Sequence, residues 1–314
     1  MTEYLLRRVA LMVPTAFLVT IAVFLLIHLT PGDPAAIILA ESYTPEASAQ
    51  IHKDLGLDKP LPEQYAIYIG RLIHGDLGRS VRNRLPVTQA IGERLPATLE
   101  LGSAALVWSL LLAIPLGTLA ALRRGRAIDV IASGLTVAGI SIPNFVLGIL
   151  LILFFGLVLR LLPVGGFAAL TDSVPDNLSR LIMPAIALGT FGAATNMRFT
   201  RSSMIEVLHQ DYIRTARAKG AGWMRVVNRH ALKNALIPVV TIVGLQVGAI
   251  LEGALVTETV FSWPGVGKLA VDSIFTKDFP IVQGIVLISA LSYMFANLLV
   301  DVVYAWLDPR ISYT

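Results

Sequence analysis

One short segment is the most basic part of this chain. The stretch DYIRTARAKGAGWMRVVNRHALKNALIP, Asp211–Pro238, carries Arg214, Arg217, Lys219, Arg225, Arg229 and Lys233 around a Gly-Ala-Gly turn. Its pattern predicts two short helices joined by that turn. Three chemistries are open to such a cluster: DNA contact, attraction to anionic lipid, or docking of a partner protein. A DNA-reading helix-turn-helix needs room to enter a major groove and a second half-site, and a segment wedged between apolar spans has neither. A lipid patch needs charge alone and not the Ala-Lys-Gly-Ala-Gly core. In a protein dock, the small residues let helices approach and the charges select the partner. Arg225, Arg229 and Lys233 recur at i, i+4 and i+8, which predicts one shared helix face. Trp223, Val226, Val227, Ala231 and Ala235 fall on other faces suited to packing. Gly220 and Gly222 permit backbone conformations closed to most residues and close helix approach. Pro238 is expected in the first turn of the following span, where a missing N–H costs little.

Other reactive groups are scarce. Cysteine is absent, so disulfides, thiolate metal sites and Cys nucleophiles are excluded. No GxxxxGK[ST] or HExxH occurs, nothing resembles GxSxG in a strand–helix context, and the apolar segments offer no nucleophile–base pair. Ionisable residues inside those segments point to ion or proton paths, yet only His28, Glu100, Glu252 and Asp301 qualify. His28, Glu100 and Asp301 fall at span ends. Glu252, some 24 Å up its helix from Leu236 at ~1.5 Å per residue, must face protein or a watery cavity and is open to either a structural or a path role. A proton-driven pump, a voltage sensor and a self-energised transporter all lack their residues, which places the energy source in another subunit.

These residues need a scaffold, and the composition identifies it. The 314 residues are 55% hydrophobic and only 15% charged, with net charge +4 and mean hydropathy +0.71. A soluble domain carries about a quarter charged residues; this chain reads as an all-α integral membrane protein. A helical span needs about 20 apolar residues, and six segments qualify, at about Val9–Leu29, Leu99–Leu122, Ile128–Leu159, Leu181–Met197, Leu236–Thr257 and Ile281–Tyr304. The third is long enough to be tilted or broken near Pro143. The first has Arg7 and Arg8 before it, but its length and the TPGDP that follows predict a retained span rather than a cleaved leader. Lys and Arg near span ends put both termini and the 198–235 connection in the cytoplasm. The long first loop, about Thr30–Ala97, lies on the far side, with short helices expected at Pro45–Leu55 and Pro62–Leu72 and turns at Gly75–Gly78. Two domains follow, residues 1–97 with the first span and its loop, and residues 98–314 as a five-helix core.

The text Arg214-Thr215-Ala216-Arg217-Ala218-Lys219-Gly220, followed by Asn234-Ala235-Leu236-Ile237-Pro238, resembles the EAA loop of ABC importer permeases, although the literal Glu-Ala-Ala is not kept. PGDP at Pro31–Pro34, GDLGRS at Gly75–Ser80, RLPATLEL at Arg94–Leu101, ETVFSWPGVGKL at Glu258–Leu269 and NLLVDVVYAWLDPRI at Asn297–Ile311 extend the likeness over the full chain. They resemble the first permease of dipeptide/oligopeptide importers, a family that also imports glutathione and nickel complexes.

The resemblance implies a multi-pass permease subunit of a bacterial or archaeal cytoplasmic (inner) membrane. It implies a homologous second permease, two cytoplasmic ATPases that hold the ATP and Mg, and an extracytoplasmic substrate-binding protein as partners. It implies no catalytic residue, metal, cofactor or nucleic acid on this chain. The coupling helix between spans four and five is assigned Asp211, Arg214, Ala216, Arg217, Lys219, Gly220 and Trp223, with Gly220 and Trp223 holding it rigid. A peptide path needs polar groups, and Asn144 beside Pro143, Asn196, Gln246, Glu252 and Asn297 are candidates. For each except Glu252, an interhelical hydrogen bond is the favoured reading over a cargo contact. The WPG at Trp263–Gly265 is expected to shape a turn, with Trp263 as an interfacial aromatic anchor. The reading from a different class is a stand-alone channel or secondary carrier.

Overall fold

The computed structural model describes residues 2–29, 39, 44–55, 58–248 and 250–307. All regular structure among them is helical, apart from one isolated antiparallel bridge between Arg79 and Pro86. The PGDP motif and the Asp308–Ile311 end of the NLLVDVVYAWLDPRI motif lie outside the described residues, as do the side chains of Glu252 and Asp301.

The helices in chain order are α1 (Thr2–Leu29), α2 (Pro45–Leu55), α3 (Leu61–Ile73), α4 (Val87–Leu122), α5 (Ala127–Ser141), α6 (Asn144–Val158), α7 (Val174–Leu208), α8 (Asp211–Ala218), α9 (Trp223–Gly248), α10 (Ile250–Val260), α11 (Val266–Phe275) and α12 (Phe279–Leu307). Four of them, α4, α7, α9 and α12, are long and apolar enough to cross a membrane. The bent pair α5–α6 makes a fifth if counted as one span, and the apolar part of α1 is the shorter Ala10–Leu26. The expected break is present: Pro143 forces its predecessor out of the helical region, Ile142 is extended (φ −86, ψ 118), and α5 and α6 meet at 102°. At 36 and 35 residues, α4 and α7 run about 54 and 52 Å at ~1.5 Å per residue. Each is longer than the ~30 Å of hydrocarbon that a span has to cross.

The chain divides into two compact units, Met1–Ala97 with Gly265–Phe295, and Thr98–Pro264 with Ala296–Thr314. In the first, α3 lies along α1 through Phe24, Tyr65 and Tyr68, and His28 Nε2 sits 2.9 Å from Gln64 Oε1. The loop after α3 is tied down by one carboxylate. Asp278 accepts from Ser80 Oγ (2.5 Å) and Val81 N (3.2 Å), and Ser80 Oγ accepts from Arg82 N and Asn83 N. Asp278 and Ser80 are both buried, which makes the GDLGRS motif a folded knot rather than a simple turn.

In the second unit α7 is central. Its small residues Ala185, Ala187, Gly189, Ala193 and Ala194 let neighbours approach. A side chain at Gly189 would collide with the Ala105 carbonyl of α4, and one at Gly117 would come within 2.8 Å of the Met197 carbonyl. Close backbone contact through small residues is how helices associate where no hydrophobic force acts between them. The ETVFSWPG motif forms a packed corner. Glu258 is fully buried and accepts from Thr98 Oγ1 at 2.7 Å, and Ser262 takes φ +53. Trp263, expected as an interfacial anchor, is instead fully buried edge-on against Phe167 at 4.9 Å. Trp263 itself would read the same in either setting; Phe167, which packs on it, comes from a loop far away in the sequence.

Candidate functional site

The basic segment folds as the helix–turn–helix its text predicts. α7 ends at Leu208, α8 follows after two residues, and the turn back is made at Gly220, whose φ is +80. Gly220 N–H reaches Arg217 O and Ala221 N–H reaches Ala216 O, capping the carbonyls of α8 as a glycine stop does. What holds the corner is apolar. Ile213 of α8, Met204 of α7, and Val226, Val227, Ala231 and Ala235 of α9 are buried together with Ala121, with Ala216 and Ala221 packed against them. Tyr212 and Asn234 add a hydrogen bond, Asn234 Nδ2 donating to Tyr212 Oη at 2.8 Å. One face of α8 is thus fixed to the end of one membrane helix and the start of the next.

Its other face is free. Asp211, Arg214, Arg217, Lys219, Gly220, Trp223 and Met224 are exposed. Arg214 and Asp211 approach at 3.6 Å with both side chains in solvent, an interaction that contributes little. Arg217 places its guanidinium 4.1 Å from the centre of the Trp223 ring, a cation–π contact that bridges the turn. Three expectations change here. Trp223, expected on a packing face, is 44% exposed. Residues Val226–Ala231 form a π-turn, which carries Arg229 and Lys233 off the line that a 3.6-residue period projects from Arg225. Pro238 lies inside α9 and not in its first turn. Gly222 has an ordinary φ of −60 and no neighbour within 4 Å, so of the two glycines only Gly220 is required by its backbone.

The polar candidates within the membrane helices divide sharply. Asn196 is fully buried, and its Nδ2 donates to Ser109 Oγ and to Gln246 Oε1, each at 3.0 Å. Gln246 Nε2 donates back to Asn196 Oδ1 at 3.3 Å. This knot ties α4, α7 and α9 together. Asn144, the first residue after the Pro143 break, is half-buried and makes no side-chain hydrogen bond among the described residues. Asn297 on α12 has a buried Oδ1 with no partner among the described residues. Glu252 sits on α10, its side chain outside the described residues.

Several polar links were not anticipated. Ser109 completes the amide knot. Glu100, read as a span-end residue, accepts from Asn177 Nδ2 at 2.6 Å, and the same Asn177 is fully buried. Asp129 and Arg201 form a two-pronged ion pair joining α5 to α7. No local signal marks any of these, since their partners lie 87, 77 and 72 residues away. Among the described residues no group of three or more His, Asp or Glu is placed to hold a metal ion.

Residues 113–313 match the family model of binding-protein-dependent transport system inner membrane components, and residues 1–102 match the corresponding N-terminal model. The chain is 44% identical over 335 residues to the dipeptide transport system permease protein DppB of Escherichia coli K12, covering 99% of each. It is 42% identical over 317 residues to the glutathione transport system permease protein GsiC of the same strain, covering 100% of each.

Proposed function

The chain belongs to the binding-protein-dependent transport system inner membrane components, and from that premise we propose that it is one permease half of an ATP-driven importer of dipeptides or short oligopeptides. As an ABC transporter permease of the inner membrane it is non-catalytic. A second permease of similar build completes the path, two cytoplasmic ATPases supply ATP and Mg, and a binding protein delivers cargo. In this reading six spans place both termini in the cytoplasm, with α1 as the first span and the first loop outside.

The observation that carries the coupling role is α8. Its buried face, Ile213 and Ala216, is packed on Met204 of α7 and on Val226 and Ala231 of α9. A partner that grips the exposed face through Arg214, Lys219, Trp223 and Met224 therefore displaces both membrane helices together. ATP-driven closure of the ATPases on that face would bias an inward-open state toward an outward-open one. Each helix of the displaced pair contributes one amide to the knot, Asn196 from α7 and Gln246 from α9. Asn144 and Asn297, which lack such mutual pairing, are better placed to offer amide groups to a peptide backbone.

The cargo class rests on the likeness to DppB, and the similar likeness to GsiC makes glutathione the alternative. The test is uptake into proteoliposomes holding the chain with its partner subunits and binding protein. Dipeptide uptake that requires ATP is expected. Uptake of glutathione or a nickel chelate in preference to dipeptide changes the cargo assignment. Transport by the chain without any ATPase would overturn the importer reading in favour of a channel or carrier.

A further inference from the structure

The coupling corner touches α7 and α9, yet the broken span α5–α6, which carries the half-buried Asn144 directly after the Pro143 bend, makes no part of it. One ion pair closes that gap. Asp129 stands in the first turn of α5, its side chain 8% exposed, and Arg201 stands on α7, about two turns before that helix ends, its side chain 31% exposed. The guanidinium meets the carboxylate with two prongs, Nε to Oδ1 and Nη2 to Oδ2, the latter at 2.9 Å. Oδ2 also accepts the N–H of Gly125 at 2.9 Å, the residue of φ +76 that turns the chain between α4 and α5. Bidentate geometry fixes orientation as well as distance, and the pair is mostly withdrawn from water. Farther along, α5 is seated against the same helix: a side chain at Gly139 would come within 2.9 Å of Ala194 Cβ.

We propose that the Asp129–Arg201 clamp makes α5 and α7 one moving body, so that displacement of α8 reaches the Pro143 bend and Asn144. This rests on the coupling role of α8. The two residues are positioning residues: neither meets cargo nor nucleotide. With the clamp open, α7 and α9 still follow α8, but α5 slips against α7 and the bend fails to switch. ATP is then consumed without matched import. A pair serving helix packing alone predicts something different, less protein in the membrane with unchanged cargo moved per ATP. A claimed route of this kind requires a coupling measurement rather than proximity.

The absence of native cysteine in this chain supplies the test. The double variant Asp129→Cys/Arg201→Cys is assembled with its partner subunits in proteoliposomes, and cargo uptake and ATP hydrolysis are measured with binding protein present. Before crosslinking, cargo per ATP should fall by about fivefold or more, the lower end of typical coupling factors, with ATP hydrolysis retained. A short bifunctional maleimide joining the two thiols should then restore cargo per ATP. An unchanged ratio before crosslinking overturns the proposal, as does a crosslink that blocks transport, because the pair must then open during the cycle. If the double variant does not assemble, Arg201→Lys, which keeps the charge but loses the second prong, should lower the ratio by a smaller factor, and an unchanged ratio overturns the proposal equally. Wild-type chain that transports without ATP would remove the function itself and is recognised in the same assay before any variant is made.

Discussion

The corner at α8 and the amide knot at Asn196 both join α7 to α9, and they are built from opposite materials. At α8 the joint is apolar: Ile213, Met204, Val226, Val227 and Ala231 are buried together while charges face outward. At the knot the joint is polar: Asn196, Gln246 and Ser109 bond one another on apolar helices. Solvent explains the inversion. Water drives apolar surfaces together, so a helix lying in it is pinned by its buried Ile213 against Met204 of α7. Lipid tails exert no such force between helices, and small residues and interhelical hydrogen bonds do the joining instead.

The contrast breaks first where the apolar joint is thinnest. Ile213 is 1% exposed and is the one fully buried side chain of α8. Ile213→Ala should cost ~2–5 kcal/mol of packing, enough to let α8 lift from its seat. Co-purification of the ATPases should be lost, and trypsin should cut at Arg214, Arg217 and Lys219 in intact inverted membranes far faster than in wild type, while α4 and α7 remain inserted. Unchanged protection would mean that α8 is held by something other than this core.

Next in size is Gly220. Its φ of +80 costs an ordinary side chain ~1–3 kcal/mol, yet no atom lies within 4 Å of where a Cβ would stand. The penalty is therefore backbone alone. Gly220→Leu should cut ATPase association and uptake severalfold, with membrane insertion intact, and Gly220→Ala should do nearly the same. A large difference between the two would show that space, and not conformation, is what Gly220 supplies.

How far each joint can be read from the chain follows from the same contrast. The α8 corner is written locally: basic residues, a Gly-Ala-Gly turn and an apolar face lie within one short segment, and the expected helix–turn–helix is present. The Pro143 break and the helix at Pro45–Leu55 are likewise local. Nothing local distinguishes Asn196 as a knot from Asn144 as an unpaired amide, because the difference is made by Ser109 and Gln246, 87 and 50 residues away. Trp263 and Trp223 show the same limit in reverse. Trp263 had the sequence setting of an anchor and is buried against Phe167, 96 residues away, whereas Trp223, expected on a packing face, is exposed and meets Arg217 across its own turn.

The polar joint predicts a smaller and more forgiving response. Asn196→Leu removes both donors and leaves the Gln246 amide without its partner, costing ~0.6–2 kcal/mol by the scale of membrane hydrogen bonds. Thermal unfolding in detergent should begin a few degrees lower. Adding Gln246→Leu should recover part of the loss, since an unpaired buried group costs more than a pair removed whole. Additive losses in the double variant would mean that the two amides do not act as a pair.

The smallest effect separates the two exposed charges of α8 itself. Arg217 stacks on Trp223 across the turn at 4.1 Å, and Arg214 meets Asp211 at 3.6 Å in open solvent. An exposed cation–π contact is worth ~0.5–1 kcal/mol, whereas an exposed ion pair at this distance lies near the bottom of a range of ~0–1 kcal/mol. Trypsin digestion of the chain freed from its ATPases reads this difference without interference from docking. Arg217→Ala should hasten cleavage at Lys219 by about twofold to fivefold, the factor those energies give. Arg214→Ala should leave it unchanged. Trp223→Leu keeps an apolar side chain but removes the ring face, and should match Arg217→Ala; in combination the two should add nothing further. Additivity would instead assign Trp223 to the partner's surface alone, with the turn held entirely by Gly220 and the buried face beneath it.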